Sequence, residues 1–226
     1  MASGQAISLP TASLSRVLAT FVPSEDAPVV KTLREAGAVF LGKTNMHEFA
    51  YGTTSNNPHY GPVRNPWNIS RIAGGSSGGS AAALAAGLCY GSIGTDTGGS
   101  IRIPAALCGV VGFKPGLGRV SAEGVIPLSP TLDFVGPLAR SVEDAALLLE
   151  PLFHHSKNEP RLLSRKAKGK HRKLRLGICE EFFFDLLAKD VLQTIEAALK
   201  ILEKSGVTFH DVTLPKIRES EAVGNE

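Results

Sequence analysis

The stretch 74-GGSSGGSAAALAAG-87, followed by 95-TDTGGSIRIP-104, sets two Gly-Gly-Ser turns ahead of two segments of small, helix-forming residues. Glycine opens positive φ and lets a backbone N–H come close to another group, at a folding cost of roughly 0.5–1 kcal/mol inside regular structure. A chain that accepts this cost repeatedly has something to seat against those loops. Working outward, Ser80 to Gly87 reads as an alanine helix, Leu88 to Gly94 as a short strand, and Ser100 as the start of a helix ending near Gly109, with a buried strand over Val110 to Phe113. Upstream, Ser24-Glu25-Asp26 is expected to cap a helix carrying Val29, Val30, Leu33 and Ala36 on one stripe, closed by Gly37 before a strand over Ala38 to Leu41. Residues 52–72 are so rich in Gly, Asn, Pro and Ser that a long irregular loop is expected. Downstream, Ser141 to Asp144 opens an amphipathic helix through Leu149. A strand in LRLGICEE, a helix over Lys189 to Lys204 and a strand over Val207 to Val212 then form a β-α-β unit. Apolar strands alternating with helices predict an α/β fold.

With 226 residues, 43% of them hydrophobic and 20% charged, the chain has the makeup of a globular protein. A formal charge of +3 gives no case for specific nucleic-acid binding or a membrane surface. There is no apolar run of about 18 residues to span a bilayer. Cys89, Cys108 and Cys179 are widely spaced and odd in number, which reads as reduced thiols of a cytoplasmic protein rather than a disulfide or metal framework. The N-terminus has no acidic residue before Glu25, but Arg16 is its only base and Pro10 interrupts it, so it is not read as a targeting peptide. Asn68-Ile69-Ser70 is a formal glycosylation sequon, read as chance. The segment Lys157 to Arg175 holds nine Lys or Arg with no aromatic for base stacking, and it reads as a solvated basic linker rather than an RNA site.

Several motifs compete for the first glycine turn. A P-loop fails because no Gly-Lys-Ser/Thr follows. The elbow G-x-S-x-G matches at Ser76 and at Ser77, with His154, His155, His171 and His210 downstream as candidate bases, but RNPWNISRIA is a poor buried strand to precede it. Neither turn has the register of a dinucleotide fingerprint. His47-Glu48 begins H-E-x-x-H, but position 51 is Tyr, so no metal site is expected. On the residues alone, the turns could also simply punctuate a tightly packed sheet.

GGSSGGSAAALAAG and GTDTGGSIRIPAALCGVVGFKP together resemble the signature of the amidase signature family, as do the flanking SEDAPVVKTLREAGAVFLGKTNMHEFAYG, GPVRNPWN and GVIPLSPTLDFVGPLARSVEDAALLL. The resemblance covers at least residues 9–150 and continues more weakly beyond. It implies a mixed central sheet flanked by helices, incomplete in this chain, and hydrolysis of a carbon–nitrogen amide bond through an acyl-enzyme. It implies Ser100 as nucleophile, and Ser76, 24 residues earlier, as a bridging serine held by a cis peptide. The N–H groups of Thr97, Gly98, Gly99 and Ser100 would form the oxyanion hole, where losing one donor typically costs on the order of 3 kcal/mol. The base would be a lysine kept neutral by its surroundings, in a Ser-Lys variant of the catalytic triad. Asp96 and Arg102 flank the nucleophile, as an ion pair and cap or in a direct role.

The family's lysine stands about nine residues before a Leu-Pro-Thr that matches Leu9-Pro10-Thr11, and counting back from there reaches Met1. The first lysine is Lys31, so no catalytic lysine is expected in this chain; neither Lys31 nor Lys43 matches the family position. The expected organisation is an amidase core over 1–156 lacking that strand, a basic linker over 157–175 and a shortened β-α-β continuation over 176–226. The chain is expected to be inactive alone. No cofactor or metal is implied; the implied partners are a small-molecule amide, a second copy of the chain, or amidotransferase subunits. Two alternatives stand beside the hydrolase: a noncatalytic binding scaffold on the same fold, and a fragment of a glutamyl-tRNA amidotransferase A-type subunit.

Overall fold

The computed structural model describes residues 15–153 and 174–219. Leu9-Pro10-Thr11, His154, His155, His171, the basic segment 157–173 and the tail from residue 220 lie outside the described residues. The chain divides into two compact units, Met1–Arg165 and Lys166–Glu226.

The first unit opens with helix α1 (Pro28–Glu35), whose N-cap is Ala27. The cap expected over Ser24-Glu25-Asp26 does not form. Pro28 at the first helical position has its φ already set and no N–H to satisfy, and Asp26 accepts instead from Arg34 Nη2 at 2.8 Å. Val29 and Leu33 are buried. The strand expected at Ala38 to Leu41 is absent: no described strand pairs with it, so Val39 and Leu41 stand exposed while Phe40 packs inward.

Residues 52–72, expected as irregular loop, fold into two short antiparallel hairpins. β1 (Asn56–Asn57) pairs with β2 (Gly61–Pro62), and β3 (Arg64–Asn65) with β4 (Asn68–Ile72). Asparagine side chains shape the turns by taking the place of backbone acceptors: Asn57 Oδ1 accepts from the N–H groups of His59 at 2.8 Å and Tyr60 at 2.9 Å, and Asn65 Oδ1 from Trp67 N–H at 3.0 Å.

Beyond the first glycine turn come α2 (Gly78–Ala85), β5 (Gly91–Asp96), α3 (Arg102–Cys108), β6 (Val111–Gly112), β7 (Phe134–Ala139) and α4 (Val142–Leu149). The sheet has the order β5-β7-β6 with both pairings antiparallel. Its register runs from Gly91 opposite Ala139 to Asp96 opposite Phe134. Successive strand residues face opposite sides, so Val135 and Leu138 serve different cores. Val135 joins Val29, Leu33 and Leu149 beneath α1 and α4, with Ile93 packed against them. Leu138 joins Ala81, Leu84, Ile101 and Cys108 beneath α2 and α3, where alanine lets the two helices approach closely. Strand β5 starts three residues later than expected, because Leu88 N–H still closes α2 onto the Ala83 carbonyl. β6 keeps only two residues of its expected span, at the sheet edge.

In the second unit, β8 (Arg175–Ile178), α5 (Glu180–Phe183), α6 (Lys189–Lys204) and β9 (Thr208–Asp211) give the expected β-α-β arrangement, with β8 and β9 parallel. The architecture is mixed α/β. Among the described residues no helix is long and apolar enough to cross a membrane.

Candidate active site

The two glycine turns meet. Ser77 N–H donates to the Ser100 carbonyl at 3.1 Å, joining the segment before α2 to the one before α3. The Gly75–Ser76 peptide bond is cis. Ser76 is fully buried, and its Oγ has no hydrogen-bond partner among the described residues. Its carbonyl accepts from His47 N–H at 3.1 Å and from Ser55 Oγ at 3.0 Å. A buried hydroxyl without a partner is costly, and native structures rarely keep one without a use for it.

Ser77 is differently engaged. Its hydroxyl donates to the Thr95 carbonyl and accepts from Thr95 N–H, both at 3.2 Å, and Ser80 Oγ donates to the Ile93 carbonyl at 3.0 Å. The elbow centred on Ser77 therefore presents no open hydroxyl, and β4 ahead of it is an exposed ribbon strand rather than a buried one. Among the elbow's candidate bases, His210 lies on β9 in the second unit, where its Nε2 accepts from Arg175 Nε at 3.3 Å.

Ser100 is buried at the end of a turn that follows β5. Asp96, fully buried, organises that turn. Its carboxylate accepts from Gly99 N–H at 2.8 Å, Ile101 N–H at 3.2 Å, Arg102 N–H at 3.4 Å, Arg102 Nε at 3.0 Å and Arg102 Nη2 at 2.9 Å. Burial pushes the Asp96 carboxyl up, but the Arg102 hydrogen bonds, the Ile101 amide and the Arg102 charge together outweigh it and hold it below the ordinary carboxylate range. Arg102 is thus engaged by Asp96 in an ion pair, the structural role left open by its sequence.

Gly99, at φ +135°, takes a conformation that favours glycine, and a Cβ there would press on Ile103. Its N–H is turned to Asp96, while the N–H groups of Thr97, Gly98 and Ser100 make no hydrogen bond among the described residues. Thr97 Oγ1 donates to Asp133, whose other carboxylate oxygen accepts from the N–H groups of Leu128 at 2.8 Å and Ser129 at 3.0 Å. Asp96 grips the turn from inside and Asp133 from outside. Nothing in the local sequence marks Asp133 or Ser55, because each acts on a turn far away along the chain.

His47 Nδ1 lies 3.4 Å from Thr54 Oγ1, and Glu48 Oε1 lies 3.1 Å from His59 Nε2. Among the described residues no group of three or more His, Cys, Asp or Glu gathers into a metal-holding cluster. Burial pushes the Cys108 thiol up, and it does the same at Cys89 against the opposing Arg140 charge, so neither is prone to form a thiolate. Desolvation lowers Lys43 against the opposing charge of Asp26, but neither Lys43 nor Lys31 reaches the Ser76 hydroxyl.

Comparison with known proteins places the chain in a family. The Amidase family model matches residues 8–225. The chain is 46% identical over 208 residues to the A subunit of glutamyl-tRNA(Gln) amidotransferase from Syntrophobacter fumaroxidans, covering 89% of this chain and 43% of that protein. It is likewise 46% identical over 222 residues to the protein of that name from Nitratidesulfovibrio vulgaris, covering 94% of this chain and 45% of that one. The crystal structure of the glutamyl-tRNA(Gln) amidotransferase A subunit from Thermotoga maritima superposes with a TM-score of 0.85 at 38% identity, over 96% of this chain and 49% of that one. The native peptide amidase of Stenotrophomonas maltophilia gives 0.80 at 35% identity, over 97% of this chain and 48% of that one. The chain therefore spans less than half the length of the curated relatives it matches. By the family match and the solved structures alike, it belongs to the amidase family.

Proposed function

We propose that the chain carries the nucleophile side of a serine amidase. In this reading Ser100 Oγ attacks the amide carbonyl and forms the C–O bond of an acyl-enzyme. The C–N bond breaks as the proton from Ser100 passes through Ser76 to the leaving nitrogen, and water then releases the acid. The oxyanion hole draws on the N–H groups of Thr97, Gly98, Gly99 and Ser100. Three of these are open, while Gly99 would have to share its proton with Asp96. The observation that supports the reading is the Ser77 N–H bond to the Ser100 carbonyl, which joins the turn carrying the unpartnered Ser76 hydroxyl to the turn that bears Ser100.

The lysine base that the family resemblance calls for has no counterpart before Lys31, so the 226 residues by themselves would lack the full proton relay. The test is an aryl fluorophosphonate applied to the protein as its gene expresses it, with the adduct located by peptide mass spectrometry. An adduct on Ser100, abolished by Ser100→Ala, is expected; an adduct on Ser77, or none on Ser100, overturns the reading.

A narrower reading is favoured by the names of the curated relatives at 44–47% identity. The chain would then be part of an A-type subunit that releases ammonia from an amide donor for a glutamyl-tRNA amidotransferase and works with partner subunits. Glutaminase activity that appears only with those subunits present would support it; an equal rate on a plain aryl amide without them would refute it.

A further inference from the structure

The glycines at 75 and 78 surround one side chain. A Cβ on Gly78 would overlap the Ser55 hydroxyl, and a Cβ on Gly75 would lie 2.9 Å from both the Ser55 nitrogen and its hydroxyl. Ser55 is fully buried and takes φ +52°, a left-handed backbone that serine seldom adopts. Its Oγ donates to the Ser76 carbonyl at 3.0 Å and accepts from Gly78 N–H at 3.1 Å. Its own carbonyl accepts from Val63 N–H at 3.0 Å, tying it to the hairpin ribbon.

We propose that Ser55 is a positioning residue for Ser76, with its single hydroxyl fixing both peptide planes on either side of Ser77. The inference rests on Ser76 and Ser100 being the reacting pair. The physical argument is one of geometry. A hydroxyl has one proton to give and lone pairs to receive, and here both functions are used along three consecutive residues of the turn. The Ser76 carbonyl and the Gly78 amide are thereby held in fixed directions. The Ser77 N–H, in the same peptide unit as the Ser76 carbonyl, is aimed at the Ser100 carbonyl, and the backbone that follows the Ser76 side chain is held with it. The flanking glycines are the space this serine requires, so part of the glycine density of 74-GGSSGG-79 follows from the loop that precedes it rather than from substrate.

Two substitutions separate this role from plain packing. Ser55→Gly removes the hydroxyl while easing the left-handed backbone, so it is the variant best placed to stay folded. Ser55→Thr keeps the hydroxyl while adding a crowded methyl. Amide hydrogen exchange of residues 76–79 and fluorophosphonate labelling of Ser100 are then measured in the protein as its gene expresses it. In Ser55→Gly, exchange at Gly78 and at Ser77 is expected to accelerate at least about tenfold, and the maximal labelling rate to fall about tenfold with the probe's half-saturation within about twofold. Ser55→Thr is expected to label at close to the parent rate even where it melts earlier. Unchanged Ser77 exchange in Ser55→Gly overturns the proposal, as does an unchanged labelling rate alongside faster exchange. A parent protein that never labels at Ser100 removes the amidase reading, and the Ser77 exchange still decides whether Ser55 holds the turn.

Discussion

Replacing Arg102 by methionine keeps the aliphatic stem and removes the guanidinium that donates to Asp96 at 3.0 and 2.9 Å. Asp96 then remains fully buried as a carboxylate, with the backbone N–H groups of Gly99, Ile101 and residue 102 as its donors. Breaking a buried pair by removing one partner costs about 3–5 kcal/mol. The Arg102 side chain is 53% exposed, which screens its share, so about 2–3 kcal/mol is expected near neutral pH. For a domain of this size that lowers Tm by roughly 5–10 °C. The pH dependence follows from the sign of the shift. In the parent, the folded pKa of Asp96 is depressed, so its contribution is present above the unfolded carboxylate pKa and is lost as pH falls through the folded value. In Arg102→Met, burial, the largest influence on this carboxyl, has lost its main opponent, and the folded pKa moves upward. The resulting penalty is full near neutrality and is relieved as the carboxyl takes up a proton. Calorimetric melts at about pH 7 and about pH 4.5 should therefore show the gap between parent and variant narrowing on acidification. A gap of equal size at both pH values, or one that widens with acid, would refute the account of Asp96 as a carboxylate held down by Arg102.

Gly78→Ala tests the packing around Ser55: alanine favours a helix by about 1 kcal/mol, but its Cβ would overlap the Ser55 hydroxyl. A net loss of about 1–3 kcal/mol in urea unfolding is expected, and a gain would mean the turn has room to spare. Asp133→Ala frees the Thr97 hydroxyl and the amides of Leu128 and Ser129. Limited proteolysis should cut the 126–132 segment faster, with fluorophosphonate labelling of Ser100 slowed about tenfold through the loosened turn. Faster cutting with unchanged labelling would separate that loop from the site.

The elements that the sequence discloses are those whose signals are local. Helix α4 is announced by Ser141, which accepts from Asp144 N–H at 3.0 Å as an N-cap should, and α6 by its long apolar stripe. β7, the strand between β5 and β6, is hidden because Gly136 and Pro137 interrupt it, and proline lacks the ladder N–H expected of a central strand. At Ala38 to Leu41 the composition is legible and the pairing is not, since a strand is completed only by a neighbour. The site divides the same way. Ser76 and Ser100 stand out in glycine-rich motifs, whereas Ser55 and Asp133 reach their turns across 21 and 36 residues of chain, a proximity that no spacing rule encodes.

The hydroxyls of Ser77 and Ser80 have a consequence for the edge of the sheet. Among the described residues β5 lies at the edge of its three-stranded sheet, and an unpaired edge invites strand addition. Here the N–H and C=O of Thr95 and the C=O of Ile93 are already engaged by these two serines, which imitate the hydrogen bonds of an adjoining strand with single side chains. A chain added along Ile93 to Thr95 would have to displace both serines to reach these three groups. Within the described sheet, one serine of the first turn and one of α2 thus take up part of the outer ladder of β5, and replacing both by alanine would leave those strand groups without these partners.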